Sequence, residues 1–319
     1  MCIIVADLDQ PYCTILETGR WICTVTANNE TEGHPGEHVT VFFSDDRGAT
    51  WQPEVTVEPS PINRELANAY SMIVASNPGV LPNNGQRVYV IYNMNVDNVT
   101  TFPDGTPVAR VDMMGKFEMR FSDDNGATWS EQRYNVPYRL TPIDYENDWK
   151  GNTTIMWTVD QIKIRDGVAY FAFTKIGHYI LGPPEEMWVM RSTNILNATD
   201  PDDIEWTLLP HGEHGVKPIA GFENTNIEEV LHCFLPSRNS RLYLITIVIA
   251  MRRLMLSRSK TWRTLVFTWW EEPPWDTLLP RPQQMETFPM DLEMPLPLNT
   301  GIRTPASRLT AIAKGPLHH

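Results

Sequence analysis

The chain is poor in cationic residues, with 26 Lys and Arg against 39 Asp and Glu and a formal net charge of −13 at pH 7. A surface this acidic repels phosphate backbones, which argues against nucleic acid as a partner. No apolar run approaches the roughly 20 residues that a membrane-crossing helix needs. The longest, Leu242 to Met251, is strand-sized and rich in β-branched residues, so no membrane span is expected. Cysteine is scarce: Cys2, Cys13, Cys23 and Cys233 fit no zinc or redox spacing. Cys13 and Cys23 could face each other across neighbouring strands, but buried free thiols are the expected state. Met1 is followed by no basic stretch, and Asp7 and Asp9 interrupt the apolar start, so no signal peptide is read there. Four Asn-x-Ser/Thr triplets nevertheless occur, at Asn29, Asn98, Asn152 and Asn197, and these matter only in a secretory setting. The expectation is a chain that begins inside a longer, secreted or extracytoplasmic parent.

What the sequence does have is a repeat. Its 319 residues are 42% hydrophobic and 20% charged, enough for one large all-β domain with a sizeable core. FFSDDRGATWQ (42–52) and RFSDDNGATWS (120–130) share the pattern S-x-D-x-G-x-T-W, each after a strand-like run. The motif's chemistry is structural. Gly48 and Gly126 supply the positive φ of a tight turn. Asp46 and Asp124 can accept hydrogen bonds from turn amides, and Ser44 and Ser122 can add side-chain to backbone bonds. Trp51 and Trp129 are expected to bury their rings against the next sheet. Weaker copies end on Trp206 and Trp262, so Ser44, Ser122, Ser192 and Ser257 recur at blade-sized intervals. Ahead of each box lie two further strand-like runs, for example PYCTIL (11–16) with ETGRWICTVTA (17–27), and AYSMIVA (69–75) with NGQRVYVIYNM (84–94). A unit of this kind is a four-stranded propeller blade.

This layout resembles the sialidase superfamily of six-bladed, Asp-box β-propellers, over roughly Asp9 to Trp262. The resemblance implies an all-β propeller over residues 1–262; the segment after it (263–319), rich in Pro and Met and without blade periodicity, does not fit that pattern and reads as an irregular tail, truncated or artefactual. It also implies a site on the propeller axis. Sialidases use three arginines for the substrate carboxylate, an Asp acid, and a Tyr nucleophile assisted by a Glu. The first arginine's place here reads Gln10-Pro11-Tyr12. Counting six residues back from Ser44 to the acid's place gives His38, within GHPGEHV. The Glu place holds Glu228 and Glu229, of which a strand can turn only one to the axis. No arginine stands near Leu244 to Thr246, though Arg252 and Arg253 follow.

The candidate catalytic residues are therefore His38, Glu228, Glu229 and Tyr70. Gln10, Tyr12, Asn68 and Asp160 at inner-strand entries, and His34, Asp112, Lys116, Lys175 and His178 on or beside loops, are the candidate substrate-binding residues. Each has a structural alternative: loop stabilisation for His34 and His38, core packing for Tyr12 and Tyr70, and a solvated strand end for Lys175 and His178. The expected activity is a sialidase-like glycoside hydrolase that takes a glycan or oligosaccharide and needs no cofactor. Two alternatives stay open. One is a uronate lyase, in which a His or Tyr abstracts the proton beside a carboxylate. The other is a non-catalytic propeller that binds glycans or proteins.

Overall fold

The computed structural model describes residues 10–28, 32–59, 68–158, 160–179 and 184–217 with their side chains, and the backbone alone of residues 7–9 and of three strands after residue 229. Among these residues the chain is all-β, with helix limited to single turns at Pro82–Asn84, Pro142–Tyr145 and Pro201–Asp203. No helix among them is long and apolar enough to cross a membrane.

The strands form antiparallel meanders in chain order. Sheet 1 holds β1 (Asp7–Ile15), β2 (Trp21–Asn28), β3 (His38–Ser44) and β4 (Val55–Glu58). Sheet 2 holds β5 (Asn68–Ala75), β6 (Val88–Met94), β7 (Lys116–Ser122) and β8 (Tyr134–Asn135). In sheet 3, β9 (Met156–Trp157) and β10 (Lys163–Arg165) both pair with β11 (Val168–Ile176), followed by β12 (Glu185–Ser192) and β13 (Thr207–Leu209). Sheet 4 is β14 (Val230–Phe234), β15 (Leu244–Met251) and β16 (Trp262–Trp269). β16 runs past residue 262, where the irregular tail was expected to begin. The remainder of that tail, and the count of six blades, lie outside the described residues.

Side-chain alternation stacks the sheets face to face. Along β6, Val88, Val90, Tyr92 and Met94 pack against Leu16, Ile22, Val39, Val41 and Val57 of sheet 1. The intervening Tyr89 and Ile91 pack instead with Phe171, Phe173, Trp188 and Met190 of sheet 3. Each such apolar side chain contributes about 1.5–3 kcal/mol on burial. A strand buried on both faces reads as a continuous apolar run, as VYVIY does.

The two box hairpins are superimposable in their bonding. Ser44 Oγ donates to Asp46 Oδ1 (2.7 Å) and accepts from Gly48 N (2.8 Å), while Asp46 accepts from Thr50 N (2.7 Å) and Thr50 Oγ1 (2.5 Å). Ser122, Asp124, Gly126 and Thr128 repeat the set at 2.8, 2.8, 2.8 and 2.6 Å. Gly48 and Gly126 lie at φ 85° and 86°. The bonds from Thr50 pull the exposed Asp46 carboxyl down to about 2.

Two expectations need correction. The rings of Trp129 and Trp206 pack on the preceding sheet, not the next one: Trp129 on the sheet 1–sheet 2 seam, Trp206 on the sheet 2–sheet 3 seam. No described sheet precedes sheet 1, and Trp51 is 43% exposed. Cys13 and Cys23 are not free thiols but a disulfide. They stand directly opposite in the β1–β2 register, with Cα atoms 4.0 Å apart.

Candidate functional site

The antiparallel pairing of each meander fixes which loops meet. Asn68, at the start of β5, pairs with Met94 at the end of β6, and Ile176 at the end of β11 pairs with Glu185 at the start of β12. The starts of the inner strands therefore share one end of the sheets with the β2–β3, β6–β7 and β11–β12 loops. At this end β1 and β5 are both bulged, between Asp9 and Tyr12 and between Ala69 and Met72. Gln10 (φ 54°) and Tyr70 (φ 55°) occupy the bulges in the left-handed region. A non-glycine residue held there costs about 1–3 kcal/mol, and such strain concentrates at functional sites.

Tyr70 is fully enclosed and donates its hydroxyl to Asp112 Oδ2 at 2.6 Å. Burial, and then the Asp112 carboxylate, raises its pKa well above the ordinary phenol value, so Tyr70 is a proton donor and not a phenolate. Arg110 grips the same carboxylate twice, Nε to Oδ1 at 3.0 Å and NH2 to Oδ2 at 2.6 Å, and also holds Glu32 at 2.7 Å. Its guanidinium lies 4.7 Å from the centre of the Trp157 ring, which in turn lies 5.5 Å from the Tyr70 ring. Asn93 Nδ2 fixes the backbone by donating to Asp112 O at 2.5 Å. Tyr179, from the β11–β12 loop, bonds through its hydroxyl to both N and O of Arg110.

Glu37 closes the cluster from the β2–β3 loop. Its Oε1 accepts from Gly33 N at 2.5 Å, and its Oε2 is buried without a hydrogen-bond partner among the described residues. Burial, reinforced by the Asp112 carboxylate, pushes the Glu37 carboxyl up to about 9, so it holds its proton at neutral pH. The loop needs glycine at position 33: φ is 83°, and a Cβ there would fall 2.5 Å from Arg110 Nε. The cluster thus holds three carboxyls and one guanidinium, with one carboxyl neutral. Among the described residues no group of three or more His, Cys, Asp or Glu could hold a metal ion.

The residues singled out from sequence are scattered. Tyr70 and Asp112 belong to the cluster. Asn68 adjoins its loop, donating its backbone N–H to Glu37 O at 3.2 Å, and its fully buried amide has no side-chain partner among the described residues. Gln10 sits in the bulge of sheet 1, and Tyr12 packs on the sheet 1–sheet 2 seam. His38 is half-buried, with Nδ1 3.3 Å from Gly36 O, while His34, Lys116 and His178 are exposed. Asp160 and Lys175 have structural partners. Asp160 accepts from Lys163, Gln161 N and Ala172 N; Lys175, fully buried and not at a solvated strand end, donates to Asp144 (2.7 Å), Arg139 O (2.9 Å) and Thr141 Oγ1 (3.2 Å). Glu228 and Glu229 lie outside the described residues. Glu37, Glu32 and Arg110 were not singled out. Glu37 stands one residue before His38 and is buried where His38 is half-buried.

No protein-family model and no curated protein matches the chain. Solved structures similar to it include the Hadza microbial sialidase Hz136, at 13% identity and TM-score 0.42 over 82% of this chain and 44% of that one. A β-fructofuranosidase from Schwanniomyces occidentalis complexed with fructosyl-erythritol matches at 14% and 0.47, over 84% and 44%. A GH43 endo-arabinanase from Bacillus licheniformis matches at 13% and 0.38, over 83% and 74%. The chain spans less than half the length of the first two.

Proposed function

We propose that the chain is a glycan-cleaving hydrolase whose reaction takes place at the loop end of sheets 1 to 3, around Glu37 and Asp112. The observation that carries this reading is the pairing itself: a protonated carboxylic acid set beside a carboxylate that Arg110 and Tyr70 clamp in place. Glycoside cleavage needs an acid to protonate the departing oxygen and a carboxylate to meet the positive charge that develops at the anomeric carbon. In this reading Glu37 gives its proton to the glycosidic oxygen, and Asp112 stabilises the oxocarbenium-like centre. Arg110 and Tyr70 are positioning residues that keep Asp112 in one orientation, and Trp157 supplies an apolar wall. Glu37 and Asp112 are each only 1% exposed. Substrate entry therefore involves displacement of the loop carrying Gly33 and Gly36, both at positive φ.

The test is a panel of aryl glycosides and oligosaccharides. Glu37→Gln and Asp112→Asn should each lower kcat by about 10²–10⁴, the usual contribution of a positioned acid or base. Activity unchanged by both substitutions would remove the proposal. A second reading, uronate elimination, rests on His34 in the same loop as Glu37 and His38 at the start of β3. The same panel separates the two: elimination gives an unsaturated uronate with ultraviolet absorbance, and hydrolysis does not. Binding without turnover across the panel would leave a lectin-like propeller.

A further inference from the structure

We infer that this chain is a secretory-pathway glycoprotein whose principal N-glycan acceptor is Asn152. Two independent observations meet here. The first is the Cys13–Cys23 disulfide, which joins adjacent strands of sheet 1; bonds of this kind persist in oxidising compartments and are rare where thiols are kept reduced. The second is the placement of the Asn-x-Thr triplets. Asn98, Asn152 and Asn197, the three within the described residues, are all exposed and all sit in loops. A triplet locked inside a sheet seam would exclude modification, and none of the three is.

The three are not equivalent. Asn197 lies in the hairpin after β12, and its Oδ1 accepts from Asn77 Nδ2 of the β5–β6 loop at 2.8 Å, so a glycan there would crowd the contact between two loops. Asn98 occupies a left-handed turn (φ 51°) inside the long β6–β7 loop. Asn152 stands after Gly151 in the turn before β9, and only its backbone is engaged, N–H to Trp149 O at 3.0 Å. Its side-chain amide points to no described partner, so a bulky substituent displaces nothing.

The reaction joins Asn152 Nδ2 to the anomeric carbon of an oligosaccharide carried on a lipid pyrophosphate. The sugar–phosphate C–O bond breaks, the lipid pyrophosphate leaves with the electron pair, and the amide proton passes to a base on the transferase. The fold also sets the order of events. In the folded chain the hydroxyl of Thr154 is buried, donating to Gly115 O at 2.5 Å and bonded to Tyr138 OH at 2.6 Å. The triplet's threonine is then unavailable to a transferase, so modification precedes docking of this turn.

The experiment expresses the full chain behind a secretion leader in a eukaryotic host and maps peptides after peptide N-glycosidase treatment in heavy-oxygen water. Asn152 should carry the isotopic mark. N152Q and T154A should each lose one glycan increment, whereas T154S, which keeps the hydroxyl, should retain it. Cys13 and Cys23 should resist alkylation until reduced. A secreted chain bare at Asn152 overturns the assignment, as does one modified only at Asn98 or Asn197. Free thiols at Cys13 and Cys23, or a chain retained in the cell without any glycan, overturn the secretory inference itself.

Discussion

Glu37→Gln should make the protein more stable at neutral pH while removing its activity. The sign follows from the protonation states. In the unfolded chain Glu37 titrates near 4.5, and in the folded chain near 9. Below pH 4.5 both states hold the proton, and the group places no burden on folding. Between the two values the unfolded chain releases the proton and the folded chain keeps it. Stability is therefore lost as pH rises through this window, at up to about 1.4 kcal/mol per pH unit. At pH 7 the accumulated loss has an upper bound of about 3.4 kcal/mol. Above 9 both states are ionised and the loss levels off. Glutamine keeps an oxygen to accept from Gly33 N and puts an uncharged amide where Oε2 has no partner. Urea unfolding followed by tryptophan fluorescence, repeated from pH 4 to pH 9, should show the two proteins converging in acid and the variant pulling ahead as pH rises. Asp112→Asn in the wild-type background, by removing a charge that helps to raise the folded-state value, should leave the onset in acid unchanged and make the loss level off at lower pH. A gap between wild type and variant that stays constant with pH, or a variant weaker at pH 8, would refute the assignment of a buried, protonated Glu37. The opposite movement of stability and turnover is what separates an active-site acid from a residue that merely packs.

Four other outcomes follow from particular contacts. Breaking Cys13–Cys23 by Cys23→Ser should cost about 3 kcal/mol, from the loop-closure entropy of a link spanning 10 residues, read as a shift in urea midpoint. Lys175→Met should cost about 3–5 kcal/mol, because it leaves Asp144 buried without its cation; adding Asp144→Leu should recover most of that loss in a double-mutant cycle. Trp129→Ala should lower the melting temperature far more than Trp51→Ala, since only the former ring is packed between two sheets. Gly33→Ala should destabilise by about 1–3 kcal/mol and reduce kcat together, since the added methyl would displace Arg110 from Asp112.

The scaffold was legible because its signals are local. The two S-x-D-x-G-x-T-W segments contain every atom of their own hydrogen-bond set, and alternation along VYVIY needs no knowledge of distant residues. The Cys13–Cys23 pair was legible too: a turn centred on Thr18 puts residues 13 and 23 opposite each other, as the observed pairing of Ile15 with Trp21 requires. Preferring free thiols there ignored the register. The site was less legible because its partners are remote. Arg110 meets Glu32 across 78 positions and Tyr70 meets Asp112 across 42. Lys175 and Asp160 looked like pocket residues because a charged side chain in a strand has the same one-letter appearance whether it faces a ligand or a buried counter-ion. Lys175 finds its counter-ion 31 positions earlier, in the single turn at Pro142–Tyr145, which nothing in the local sequence announces. His38 was reached by a count from Ser44; the neighbouring Glu37, one residue earlier in the β2–β3 loop, is the side chain that the fold buries beside Asp112.

The bulges explain why the buried charged cluster gathers at one end of the repeat. Regular antiparallel pairing would alternate inner-strand side chains between the two seams, and none would be aimed at the loops. Gln10 and Tyr70 break that alternation at matching places, each with a left-handed φ and a shift in register against the neighbouring strand. Sheet 4 shifts register in the same way between Val230 and Cys233. A cost paid at the same point of successive sheets belongs to the scaffold, and what differs between sheets is the residue that the bulge presents and the loop that meets it. In sheet 2 that residue is Tyr70, and the long β6–β7 loop brings Arg110 and Asp112 to it. In sheet 1 it is Gln10, beside a β2–β3 loop that contributes Glu32 and Glu37. The repeat thus supplies aim, and the variable loops supply the charges.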